Sequence, residues 1–355
     1  MKERESRGEA LKQCWNTSPL FLMEGALSER LKHEFHLPTE GPAGMAGLVR
    51  EKKGREALAF LWKQYLAIAC KYSLPFLAAT PTRRCDKERA SSAGFIDKEG
   101  RSSIFKENMA LLREVQDEAD RKNALMFAGG MLGCKGDAYT GKGCLSTTKA
   151  LELHRWQAGL FREAGADFLY AALMPSLTEA LGMAQAMAET GLPFIISFTL
   201  RADGRLADGT PLYAAIDVLD AEISPRPLCF MANCVHPALV RKALSAPFNR
   251  TPLVRSRFLG IQANASPLSF RELEGSKVTM QSEPENLAKG MLRLKNNFGL
   301  RIFGGCCGTT DRHMEAIASA LCQKASPHLP SREKNGAEDS CTAGNKGACG
   351  ENSGT

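Results

Sequence analysis

Eight short apolar runs, each separated from the next by a longer segment, constrain this chain more than any other feature of its sequence. They are LFLMEGA from Leu20, PFLAAT from Pro75, ALMFAGGML from Ala124, DFLYAAL from Asp167, PFIISFTL from Pro193, LCFMANC from Leu228, FLGIQANA from Phe258 and LRIFGGCC from Leu300. Each is nearly continuous in apolar residues, the pattern of parallel strands covered on both faces. Between them lie helical segments such as GREALAFLWKQYLAIACKY, where Leu58, Leu61, Tyr65 and Ile68 recur at helical intervals. Several segments stop at a glycine (Gly165, Gly191, Gly299), a common helix end, shortly before the next apolar run. Strand and helix alternating over about 300 residues predict an α/β fold of the (β/α)8 TIM-barrel type. An open doubly wound sheet would carry a glycine-rich phosphate turn after its first strand. Here that turn is EGALSERL, with a single glycine, so the barrel is preferred.

The two ends differ from the middle. Residues 1–18 are polar and weakly patterned and read as a leader, residues 19–323 as the barrel domain. From Lys324 the chain is rich in Gly, Ser, Asn and Pro with almost no large apolar residue. Such a segment buries too little surface to offset chain entropy, so residues 324–355 are expected to be a disordered tail.

No run approaches the roughly 18 uninterrupted apolar residues of a membrane span. The charged opening MKERESRGEALKQ holds no apolar secretory core. A cytoplasmic, reducing location is therefore expected, with the 12 cysteines present as thiols or metal ligands. The net charge of +7 is spread without a basic block, which gives no footing for nucleic acid.

Barrel active sites lie at the C-terminal ends of the strands. Those ends here are Glu24-Gly25, Thr80 to Arg83, Gly133 to Asp137, Asn233 to His236, Asn264, and Gly304 to Thr309. No two cysteines stand in a C-x-x-C spacing, so zinc ribbons and thioredoxin-type motifs are unsupported. The adjacent pair Cys306-Cys307 is unremarkable as a pair, since random placement yields about 0.4 of them. Its placement between glycines at a strand end carries more information, because the backbone there turns tightly and can approach a ligand. Cys234 holds the corresponding place on the sixth strand. Three thiolates converging there would make an open zinc site, with the fourth position left for substrate or water. Equally, all three can be buried free cysteines, which are common in cores.

GGCCGTT at Gly304–Thr310 and the Asn233-Cys234 pair resemble the zinc-dependent homocysteine S-methyltransferase family, over roughly Leu20 to Leu321. The resemblance implies a (β/α)8 barrel binding one Zn2+ through Cys234, Cys306 and Cys307. It implies transfer of a methyl group from a small-molecule donor to the zinc-bound thiolate of homocysteine, giving methionine. At 355 residues the chain leaves no room for cobalamin and folate domains beside the barrel, so a corrinoid protein would have to be a separate partner. Three positions depart from the family pattern. Glu24-Gly25 stands for its Asp-Gly, Ala172-Leu173 for its Glu-Thr, and Met231 for a glycine two residues before Asn-Cys. The family carboxylates at the first two positions hold the homocysteine ammonium, so a different thiol acceptor is a second expectation. A zinc-holding barrel without catalysis is a third.

Further residues complete the expected site. Asp137 and Glu179 are candidate replacements for the missing carboxylate. Asn233 and Asn264 are candidate substrate contacts, and Gly308 and Thr309 can offer backbone N–H groups to a substrate carboxylate at a helix start. Arg83 or Arg84 can bind a carboxylate bidentately. Cys134 and Cys144 flank a glycine-rich loop within reach of the rim. His236, next to Pro237, reads as a helix cap before a ligand, and His313 as a helix-surface residue.

Overall fold

A computed structural model describes residues 2–266 and 282–323, and the expected tail, with Cys341 and Cys349, lies outside the described residues. All eight apolar runs form strands: β1 (Phe21–Met23), β2 (Phe76–Ala79), β3 (Met126–Gly133), β4 (Phe168–Met174), β5 (Phe194–Phe198), β6 (Cys229–Val235), β7 (Phe258–Ala263) and β8 (Ile302–Gly305). They pair in sequence order, all parallel, and β8 pairs with β1 to close the barrel.

Strand residues divide by parity between two cores. Phe168, Tyr170 and Ala172 of β4, Cys229 and Met231 of β6, and Phe21 and Met23 of β1 belong to the barrel interior. Their neighbours Leu169, Ala171, Phe230, Ala232 and Leu22 pack with the surrounding helices. That two-sided burial is why the runs read as continuous rather than alternating. Two glycines of β3 are required by this packing. A Cβ at Gly129 would lie 2.4 Å from the ring of Phe168, and one at Gly130 would lie 2.4 Å from that of Phe161. Met231 fills interior space beside Gly260, its register partner on β7, where a Cβ would meet the Met231 side chain at 3.0 Å.

The first 18 residues depart from the expected polar leader. Lys2–Thr17 is a helix whose Leu11 and Cys14 are buried with the interior residues of the strands. Trp15 packs on Phe21 with ring centroids 5.3 Å apart, and Arg301 stacks over Trp15 while donating to the carbonyls of Trp15 and Ser18. Three apolar residues at helical spacing suffice to dock an otherwise polar helix. Gly165 and Gly299 end their helices at φ of 76° and 75°, as the sequence suggested. Among the described residues no helix is long and apolar enough to cross a membrane.

Candidate metal centre

Cys234 comes from the end of β6, and Cys306 and Cys307 from the turn that follows β8. Their three sulfurs lie within 4.8 Å of one another, and Cys234 Sγ is 3.5 Å from Cys307 Sγ. Three thiolates bound at about 2.3 Å around a tetrahedral ion stand roughly 3.8 Å apart, so the cluster fits such an ion with little movement. All three residues are of intermediate exposure.

Cys234 sits at a local backbone irregularity. The β6–β7 register shifts between Asn233 and Val235, and Cys234 at this bulge has φ of 58°. A second shift, between Ala171 and Met174 on β4, coincides with Leu173 at φ of 57°. Bulges commonly re-aim side chains beside active sites. Asn233 ties the two together, accepting hydrogen bonds from Leu173 N at 3.0 Å and Ser197 Oγ at 2.6 Å. Its carbonyl oxygen therefore serves the scaffold.

Cys234 is the most acidic of the three thiols. Hydrogen bonds from Cys306 and Cys307, and then from Tyr139 and Asn264, hold its pKa well below the ordinary value despite burial. Cys306 and Cys307 are pushed up, chiefly through their hydrogen bonds with Cys234. The Tyr139 hydroxyl lies 3.0 Å from Cys234 Sγ. Sequence reasoning missed Tyr139. The available signal was an aromatic residue inside the glycine-rich loop after β3, where Asp137 drew attention instead.

Glu24 is 2 % exposed, and neither carboxylate oxygen has a hydrogen-bond partner. Burial pushes its carboxyl up to about 8, with nearby backbone of Glu24 and Ala79 offsetting this in part. Its backbone carbonyl accepts from Gly305 N at 3.0 Å, one residue before Cys306, so the end of β1 adjoins the turn that carries the cysteine pair. Asn264 is likewise buried beside Cys234, and its Oδ1 has no partner.

Several other expected site residues have hydrogen-bond partners within the protein. Asp137 is exposed and its carboxylate accepts from Tyr139 N, Thr140 N and Thr140 Oγ1 within its own loop. Glu179 is fully buried and accepts from Lys135 N, Leu145 N and the His154 ring. Gly308 N donates to the Glu29 carboxylate, and Thr309 Oγ1 joins Ala26 N to Cys306 O. Glu29, in the first turn of the helix after β1, was not anticipated. Thr80 and Thr82 bond to each other and to the Met131 backbone, linking β2 to β3. The Arg83 side chain packs on Gly133, Arg84 is exposed, and neither forms an ion pair among the described residues. His236 caps its helix through Ala238 N, as expected. His313 is a correction: it is 5 % exposed rather than on the surface, bonded to Thr310 and to the Ser282 carbonyl.

A profile of the homocysteine S-methyltransferase family matches residues 21–321. Among curated relatives, the homocysteine S-methyltransferase YbgG of Bacillus subtilis (strain 168) is 26 % identical over 194 residues, covering 52 % of this chain and 56 % of its own. The S-methylmethionine–homocysteine S-methyltransferase BHMT2 of Rattus norvegicus is 26 % identical over 245 residues, covering 64 % of this chain and 63 % of its own. The homocysteine S-methyltransferase of Escherichia coli (strain K12) is 26 % identical over 249 residues, with coverages of 64 % and 76 %. The chain thus spans less than two thirds of the first two relatives. Among solved structures, the metallated form of the homocysteine methyltransferase MmuM from Escherichia coli superposes with a TM-score of 0.68 at 20 % identity, covering 87 % of this chain and 99 % of that one. Its oxidised form gives 0.70, with coverages of 87 % and 98 %. At that identity the likeness establishes the shared fold.

Proposed function

The chain belongs to the homocysteine S-methyltransferase family, and on that premise we propose that it transfers a methyl group from a small-molecule donor to a thiol, homocysteine first, with a zinc ion held by Cys234, Cys306 and Cys307. The observation that carries this reading is the close approach of three cysteine sulfurs at the C-terminal ends of β6 and β8. Soft thiolate ligands favour zinc over hard cations. Bound there with one position open, zinc supplies the Lewis acidity that keeps an entering thiol nucleophilic at neutral pH without a dedicated base.

The remaining work belongs to the chain. Tyr139 and Asn264 donate to Cys234 and favour its thiolate. Glu24 and Asn264 hold buried acceptor atoms without partners. Such atoms cost free energy that a ligand's N–H groups would recover, which suits the amino group of an amino-acid thiol. The barrel mouth aligns thiol and donor and excludes water.

Ala172 supports a second reading, in which the acceptor is a different thiol or the methyl group arrives on a corrinoid protein. It is 2 % exposed and brings no carboxylate to the site. The first test is metal and product together. Purified protein should carry about one zinc per chain, lose it in Cys307→Ala, and form methionine from homocysteine with S-methylmethionine or betaine. Undiminished transfer by metal-free protein would overturn the zinc reading. A panel of thiols with and without an amino group, run beside Ala172→Glu, decides the acceptor. Strong preference for homocysteine in the wild type removes the second reading.

A further inference from the structure

We propose that Cys134 and Cys144 form a reversible disulfide that locks the loop carrying Tyr139 against the cysteine cluster. The two residues bracket the loop after β3, and the backbone already brings its ends together. Asp137 N donates across the neck to Lys142 O at 2.8 Å. A Cβ at Gly136 would lie 2.4 Å from Lys142 O and 2.7 Å from Cys144 N, so the two sides of the neck are in contact. The buried Glu179 carboxylate accepts from Lys135 N at 2.6 Å and Leu145 N at 3.1 Å. Those amides belong to the residues directly following Cys134 and Cys144, so one side chain fixes both ends of the bracket. The two side chains therefore start from adjacent backbone on either side of the neck.

Their surroundings divide the roles. Cys134 is 3 % exposed and donates to Gly136 O, whereas Cys144 is partly exposed. Cys144 is therefore the sulfur that a dissolved oxidant reaches first. A low-molecular-weight disulfide such as oxidised glutathione is the oxidant. Cys144 thiolate attacks one of its sulfurs, forming a mixed disulfide and releasing one glutathione thiolate. Cys134 then attacks Cys144 Sγ and expels the second, and the thiol protons of the two cysteines end on the two glutathiones. Two protein thiols and one oxidised glutathione become one protein disulfide and two reduced glutathiones.

The consequence reaches the metal centre through the loop. Ala138 O accepts from Thr199 Oγ1 at 2.6 Å, and the Tyr139 hydroxyl meets Cys234 Sγ at 3.0 Å. Closing the neck covalently restricts departure of that hydroxyl. This inference is independent of which methyl donor or acceptor the protein uses.

Full-length protein in zinc-containing buffer, equilibrated with mixtures of reduced and oxidised glutathione, quenched with acid, alkylated and digested with trypsin, tests the proposal. Cleavage after Lys122, Lys135, Lys142 and Lys149 places the two cysteines in separate peptides, 123–135 and 143–149. The expected result is a linked pair of these peptides that grows with the oxidised fraction and disappears on reduction. Cys134→Ser should stop at glutathione on Cys144. Wild-type protein carrying only that mixed disulfide, or linking either cysteine elsewhere, overturns the proposal. Native cleavage at exposed Lys142 should be several-fold slower in the oxidised protein, and equal rates overturn the locking role.

Discussion

At the scale of single residues, chemistry and burial are in tension around the cysteines. Cys234 occupies a backbone region that a non-glycine residue seldom adopts, and four hydrogen-bond donors surround its sulfur. Glu24 is the opposite case, a carboxylic acid buried with no partner. Its folded pKa is near 8 against an ordinary 4.5. As pH rises the unfolded chain therefore loses this proton first. The stability contribution of Glu24 is fully present below 4.5 and is lost as pH climbs to about 8, at up to about 1.4 kcal/mol per pH unit. Denaturant melts of metal-free wild type and Glu24→Gln at pH 5 and pH 8 check this. The wild type should weaken with pH more than the variant, and parallel behaviour would refute a raised pKa. The sequence exposed Glu24 as a carboxylate at a strand end. It did not show that burial would outweigh the little help nearby backbone gives, which is a property of surroundings assembled from distant segments.

At the scale of elements, two bulges and one helix decide how the site is held. Asn233 stabilises the β4 bulge at Leu173 and connects it to β5 through Ser197, one residue before Cys234. Asn233→Ala would leave the buried Leu173 amide and Ser197 hydroxyl without an acceptor. We expect a loss of about 1–3 kcal/mol, together with weaker zinc binding, read by denaturant melts and chelator competition. A destabilised variant with unchanged zinc affinity would show that the bulges act on folding alone. The helix Lys2–Thr17 closes the interior from the other chain end. Leu11 is 0 % exposed, so Leu11→Ala should cost about 2–5 kcal/mol, and an effect below 0.5 kcal/mol, the ordinary surface range, would mean the helix is not docked in solution. This helix was missed because its few apolar residues find their partners in strands distant in sequence, as Leu11 and Cys14 do in the barrel interior and Trp15 does against Phe21 and Arg301. The strands were legible because burial on both faces writes itself into an uninterrupted apolar run.

For the whole molecule, closure of the barrel is what turns separate strand ends into one site. Residues 234 and 306 are far apart in sequence, yet β7 lies between β6 and β8 and joins them by parallel pairing. The sequence by itself determined the order of strands and helices, the closed parallel fold, and the three cysteines at strand ends, since burial pattern and residue type are local. Tertiary structure decided which polar groups near them remain open. It gave Asn233, Asp137, Glu179, Gly308 and Thr309 hydrogen-bond partners within the protein and placed His313 in the interior. It also left Glu24 and Asn264 with buried acceptors and brought Tyr139 to Cys234. The physical reason is that a polar group's role depends on which partners reach it first, and those partners come from segments that only the closed barrel places side by side.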